Sequence, residues 1–150
     1  MKNNPDGESI EVFAICYNEE LMLPYFIEHY KSMGAKISIF DNNSTDRSKE
    51  IILAAGLTYY LFNSNDQIRD DLYLNIKNSC WKNSTADWVI VCDIDEFLEI
   101  PFSTKPYTII NTKGYDMLGL PGSRNGIYNR KYSKHIMFRP NMIKEINYKP

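Results

Sequence analysis

Short unbroken apolar runs alternate along the first hundred residues with segments whose apolar positions recur every three or four residues. Glu11-Val12-Phe13-Ala14-Ile15-Cys16, Lys36-Ile37-Ser38-Ile39-Phe40, residues 57–62 and Trp88-Val89-Ile90-Val91-Cys92 are the runs. Their length and lack of alternation predict strands buried on both faces. Between them, Leu21, Tyr25, His29 and Met33 keep a helical step, joined by Phe26 and Tyr30. Pro24 suits a first helical turn, and Gly34 suits the stop. A second helix is expected over 47–55, after the cap-rich Asp41-Asn42-Asn43-Ser44-Thr45-Asp46 and before Gly56. A third is expected over 67–83, where Ile68, Leu72, Ile76 and Cys80 share one face. The order β-α-β-α-β-α-β predicts an α/β fold: a mostly parallel central sheet, right-handed crossovers and helices on both faces.

Beyond Asp95 the pattern loosens. Pro101 and Pro106 interrupt it; 107–111 reads as a short helix, 116–120 as a strand, 121–126 as a loop and 135–138 as a strand, with no closing helix. No repeat or linker divides the chain, so one domain is expected over 1–150.

Composition narrows the class. Hydrophobic residues are 43% and charged residues 24% of 150, the proportions of a globular protein. A net charge of −2 gives no basic excess for nucleic acid or an anionic membrane. No apolar run is long enough to span a bilayer, and the first residues lack a signal-peptide pattern. The three cysteines, Cys16, Cys80 and Cys92, have no Cys-x-x-Cys spacing. They read as small apolar filler in a reduced, cytoplasmic protein.

In a parallel sheet all strand carboxyl ends share one edge, the edge where open α/β sheets bind ligands. Three polar clusters fall there: Tyr17-Asn18-Glu19, 41–46 and Asp93-Ile94-Asp95-Glu96. Any one of them is an ordinary solvated turn. Together they describe a crevice with an aromatic face, amide and carboxylate acceptors, and two hard oxygen ligands suited to Mg²⁺ or Mn²⁺. A nucleoside diphosphate matches that list. The first strand-helix turn has no Gly-x-Gly-x-x-Gly, and no phosphate loop of the Gly-x-x-x-x-Gly-Lys type occurs.

Ile15-Cys16-Tyr17-Asn18-Glu19-Glu20, the 41–46 hexad and residues 88–97 resemble, in order and spacing, three signatures of family-2-like glycosyltransferases with the GT-A fold. The branch is the one whose metal motif reads Asp-x-Asp-Glu-Phe. The resemblance covers about residues 10–100 and implies a nucleotide-sugar-dependent transferase using Mn²⁺ or Mg²⁺, with a UDP-sugar favoured over a GDP-sugar and a glycan, protein or lipid acceptor. It implies that Tyr17 stacks on the base beside Asn18 and Glu19, and that Asp41 helps hold base or ribose. Asn42 stands where many relatives have a second Asp. Asp93 would face ribose or metal, Asp95 would be a metal ligand, and Ile94 would lie against the nucleotide sugar. Arg69 and Asn75 would approach it from the preceding helix. Such an enzyme needs a carboxylate to take the acceptor proton if it inverts. The acids after Glu99 are Asp116 and Glu145, and Glu96 reads as a capping group, so no base is nominated.

Relatives in this branch continue past a lysine-rich strand, like 131–139 here, to a histidine that completes metal binding. This chain ends first, as a fragment, a truncated gene product or a minimal nucleotide-binding half would. His135 reads as structural, while Lys134 and Arg139 are candidates to neutralise a diphosphate. Two other readings compete. One is a GT-A module that binds nucleotide and metal without turnover. The other is a haloacid-dehalogenase-like phosphatase, whose first motif also has Asp-x-Asp but which needs a downstream acidic pair not found here. A nucleotidyltransferase would require a glycine-rich phosphate loop.

Overall fold

A computed structural model describes residues 7–100, 107–117, 126–134 and 136–148. The elements are β1 (Ile10–Cys16), α1 (Leu23–Ser32), β2 (Lys36–Asp41), α2 (Ser48–Ala54), β3 (Thr58–Leu61), α3 (Asp70–Ser79) and β4 (Trp88–Asp93). There follow β5 (Ile109–Ile110), β6 (Tyr115–Met117), β7 (Gly126–Tyr128), a 3₁₀ turn at Arg130–Tyr132 and β8 (Met137–Phe138). The main sheet has the order β3-β2-β1-β4-β8-β5, and β6 pairs with β7 separately. Strands β1 to β4 are mutually parallel, while β8 runs antiparallel to both β4 and β5. The chain therefore steps outward from β1 to β3 and returns to the other side of β1 at β4. That reversal puts a topological switch point between β1 and β4.

Period-two alternation divides the sheet into two faces. On one, Val12, Ala14, Cys16, Ile37, Ile39, Trp88, Ile90 and Cys92 meet Leu23, Phe26, Ile27 and Tyr30 of α1 and Ile52 of α2. Each such fully buried aliphatic or aromatic side chain is worth about 1.5–3 kcal/mol. Both helices on this face end in the same way. Gly34 and Gly56 adopt φ of 74° and 69°, which lets Ala35 N–H reach Tyr30 C=O and Leu57 N–H reach Ile52 C=O. On the other face, Phe13, Val89 and Val91 pack with Trp81, Phe138 and the tail residues Ile143, Ile146 and Tyr148. Helix α3 lies on this side and contributes no fully buried residue.

The expected α/β order with helices on both faces is the one observed. Several boundaries differ. The third helix begins at Asp70, not 67, because Asn65 and Asp66 take left-handed φ of 55° and 57° and Arg69 is still non-helical. Residues 109–110, expected in a helix, form an edge strand; β-branched Ile109 and Ile110 gain more from pairing with β8 than from one helical turn. Of the expected strand at 116–120, residues 116 and 117 fall in β6, which starts one residue earlier at Tyr115, and 118–120 lie outside the described residues. His135 lies outside them too, and the strand there is Met137–Phe138.

Candidate functional site

Register brings the ends of β1, β2 and β4 together, with Ile15 level with both Phe40 and Asp93. The three sequence clusters therefore share one edge at the switch point. Among the described residues, every non-glycine with positive φ is also on this edge: Asn18 (54°), Asn43 (51°), Asn65 (55°) and Asp66 (57°). Asn and Asp tolerate this conformation best, yet it still costs something, and such residues gather where a loop's shape is functionally constrained.

Backbone donors and side-chain acceptors lace the first two loops to each other. The Asn18 amide oxygen accepts from Thr45 N (2.8 Å) and Asp46 N (3.3 Å), and Asn18 N donates to Ser44 Oγ (2.9 Å). Asp46 accepts from Glu20 N (3.0 Å) and Ser48 N (2.9 Å), capping α2, while Glu20 accepts from Arg47 N (3.0 Å). Glu19 N donates to Ser48 Oγ at 2.8 Å. The Glu19 carboxyl is held above its usual value, first by burial and then by Asp95, Asp46 and Asp93.

Asp41 and Asn42 turn inward. Asp41 is fully buried: Oδ1 accepts from Ser44 Oγ (2.5 Å) and N (3.2 Å), and Oδ2 from Tyr59 O–H (2.9 Å). Burial and that bond push the Tyr59 phenol up to about 12. Asn42 donates to Ser64 Oγ and Tyr73 Oη, both 2.9 Å, and accepts from Ser64 N at 2.8 Å. The amide thus joins the end of β2 to the loop after β3 and to α3. Beside it opens a cleft of about 290 Å³ lined by Tyr17, Asn42, Ser64, Gln67, Arg69 and Tyr73. Tyr17 is exposed at its mouth. Arg69 lines it while paired with Asp71 at 2.7 Å, and Asn75 is exposed on the outer side of α3.

The third cluster is held from both sides of the sheet. Ile94 is buried in the α1-side core, so its side chain points away from the edge. The Tyr30 hydroxyl donates to Glu96 C=O (3.0 Å) and accepts from Leu98 N–H (3.1 Å), while His29 Nε2 lies 2.8 Å from Leu98 C=O. Glu96 folds back to accept from Asp93 N at 3.0 Å. Two lysines converge on Asp93: Lys77 Nζ is 2.5 Å from Oδ1 and Lys134 Nζ 3.8 Å from Oδ2. Lys134 also pairs with Glu96 at 2.6 Å. Burial alone would lower the Lys134 ammonium, but Glu96 and Asp93 outweigh it and hold it above its usual value. Asp95 is exposed, and among the described residues no hydrogen bond or ion pair engages its carboxylate.

Of the residues named from sequence, Tyr17, Asn42 and Arg69 share the cleft, and Asp93 and Asp95 stand at the end of β4. The structure does not place Arg139 with them. It pairs with Glu8 at 2.9 Å and stacks 4.3 Å from the Trp88 ring, at the amino end of β4. Sequence reasoning missed Lys77, Tyr73 and Tyr30. Tyr73 and Lys77 are four residues apart on α3, a spacing that puts both on one helix face, but nothing in the pattern marked that face as belonging to a site.

The sequence model of the family described as "Glycosyl transferase family 2" matches residues 11–149. No curated protein matches the chain. Among solved structures it is similar to glucosyl-3-phosphoglycerate synthase from Mycobacterium tuberculosis in complex with Mg²⁺ and uridine diphosphate. The identity is 17% over 61% of this chain and 35% of that one, with a TM-score of 0.43. The same enzyme with Mn²⁺ and UDP-glucose gives the same values. TarS of S. aureus gives 15% identity over 59% of this chain and 17% of that one, with a TM-score of 0.47. The chain thus spans about a third of the length of the first of these proteins and less of the last.

Proposed function

The chain belongs to glycosyl transferase family 2, with a GT-A-like fold, and from that premise we propose that it binds a nucleoside-diphosphate sugar and transfers its sugar to an acceptor. The observation that carries this reading is that the Tyr17 cleft and the Asp93-Ile94-Asp95 turn lie on one edge of the sheet, where β1, β2 and β4 end together. In it, Tyr17 offers an aromatic face to the base, with Tyr73 across the cleft. Asp41 and Asn42 act chiefly by fixing the loops that shape the cleft, since their polar atoms are engaged within the protein. Asn18 and Glu19 hold the first loop in place. We favour UDP over GDP as the nucleotide.

A divalent cation fits the donor set. Mg²⁺ is commonly held by one or two carboxylates together with substrate phosphates, and Asp95, two residues from Asp93, presents a carboxylate that no described residue engages. Among the described residues no third protein ligand joins them. Bound there, Mn²⁺ or Mg²⁺ would supply charge neutralisation for a departing diphosphate. The chain's own part is to fasten the loop that carries the two carboxylates, which the Tyr30 and His29 contacts do at Glu96 and Leu98. Family membership leaves the phosphatase reading without support.

Thermal shift with UDP and GDP, each with and without Mn²⁺, tests the reading. UDP with Mn²⁺ should raise the midpoint, and Asp95→Ala should abolish the Mn²⁺-dependent part. No shift with either nucleotide would overturn it. Hydrolysis of a UDP-sugar panel then separates a transferase from a module that binds without turnover.

A further inference from the structure

Lysines are seldom half-buried unless something holds them. Here Lys77 and Lys134 have side chains only 18% and 31% exposed, on separate elements, and both reach Asp93. Lys77 comes from α3, across the switch point; Ile76, Lys77 and Cys80 lie against Ala14, Ile15, Val91 and Cys92. Lys134 comes from the segment before β8, whose backbone is fastened by Thr112 Oγ1 to Lys134 C=O at 2.6 Å. Stabilising Asp93 would need one ammonium group. Here each ammonium has a carboxylate of its own, Lys77 with Asp93 and Lys134 with Glu96 at 2.6 Å, and the two pairs hold both cations together at the end of β4.

Position says what the charge is for. Tyr73 lines the cleft beside Tyr17, and Lys77 follows it by four residues on the same helix face, about 6 Å further along the axis. The Lys77 ammonium reaches back to Asp93 at the carboxyl end of β4, so the phosphates of a nucleoside seated between Tyr17 and Tyr73 would meet it where they turn towards β4. We propose that Lys77 and Lys134 are the binding groups for the donor's diphosphate, kept in place by Asp93 and Glu96 and shared with the phosphates when the nucleotide binds. The idea rests on the nucleotide-sugar reading above and names the residues that read the diphosphate. It has a corollary. Lys77 and a cation on Asp93 compete for one carboxylate oxygen, so a diphosphate that draws Lys77 away also frees Asp93. Nucleotide and cation should therefore bind with positive coupling.

Calorimetry on the whole chain with UDP, with uridine and with Mn²⁺ alone tests this. Lys77→Met should weaken UDP by about tenfold or more, as loss of a charge-assisted hydrogen bond does, and leave uridine unchanged. Lys77→Arg should recover most of the loss, and Lys134→Met should act in the same direction. Mn²⁺ alone should bind Lys77→Met more tightly than the unaltered protein. If UDP and uridine weaken together, or neither changes, Lys77 is only a strut for Asp93 and the proposal fails while the nucleotide reading stands. If the unaltered protein binds neither UDP nor GDP, the nucleotide reading itself fails. Should Lys77→Met not fold, side-chain NMR of the unaltered protein decides: lysine ε-methylene signals that move with UDP but not uridine support the proposal, and signals that move with neither overturn it.

Discussion

The two faces of the sheet are built on different terms. Against α1 and α2 the sheet presents apolar side chains up to its carboxyl edge, where Asp41 and Tyr59 pair, and Phe26, Tyr30, Leu23, Ile39 and Ile52 are all fully buried. Against α3 it presents a mixture. Phe13 and Val91 share that side with Glu11, whose buried carboxylate accepts from Ser38 Oγ (3.0 Å) and Ser84 Oγ (2.6 Å) and pairs with Lys36 (2.9 Å). Trp81 is buried there with no hydrogen-bond partner for its indole N–H among the described residues. Helix α3 itself is only half-buried. Yet α3 carries Tyr73 and Lys77, the groups nearest the cleft and Asp93. The tightly packed face supplies stability, and the loosely packed one supplies most of the polar groups. Elements of low local stability are where binding machinery is commonly found.

The largest effect should come from deleting a ring on the tight face. Phe26→Ala is expected to cost about 3–5 kcal/mol, against about 1 kcal/mol for Ile76→Ala on α3, measured by urea unfolding. Comparable losses would dissolve the distinction between the faces. Next comes Tyr30→Phe, which keeps the packing but leaves the Leu98 N–H and Glu96 C=O without their partner. It should cost about 1–3 kcal/mol and loosen the 93–98 loop. Unchanged stability together with unchanged Mn²⁺ binding would show that α1 does not support the 93–98 loop.

A smaller effect concerns pH. Burial by itself would raise the Glu11 carboxyl, but Ser84, Lys36 and Ser38 outweigh it and hold it below its usual 4.5. A lowered folded value means stability that is present above the unfolded value and lost as pH falls through the folded one. Glu11→Gln should flatten the acid limb of a midpoint-versus-pH curve below about pH 4.5; an identical acid limb would remove Glu11 from the account. The smallest effect is expected at Asn75, exposed on the outer side of α3. Asn75→Ala should change stability by no more than about 0.5 kcal/mol and leave UDP affinity in place. A clear loss of affinity there would move the nucleotide path to the other side of the helix.

Much of this was legible along the chain. Four apolar runs and three helical steps specify a parallel sheet because a strand buried on both faces has few other ways to be written, and Gly34 and Gly56 mark stops that only a left-handed residue completes. The edge location of Tyr17, Asp41 and Asp93 followed from strand polarity alone. Less was legible after residue 100. Strands of two or three residues, such as Ile109–Ile110 and Met137–Phe138, take their form from the partner they meet and carry no period of their own.

Side-chain direction marks the boundary between the two sources. By itself the sequence determined which polar clusters share an edge, because parallel strands must end together. Only the tertiary structure decided that Asp41 and Asn42 point inward to Tyr59, Ser64 and Tyr73, that Ile94 belongs to the core, and that Arg139 lies at the far end of β4. It also decided that Lys77 and Lys134, 57 positions apart in number, meet on one aspartate. The reason is physical: hydrogen bonds and ion pairs between distant segments depend on crossover geometry and helix rotation, which leave no local period in the chain.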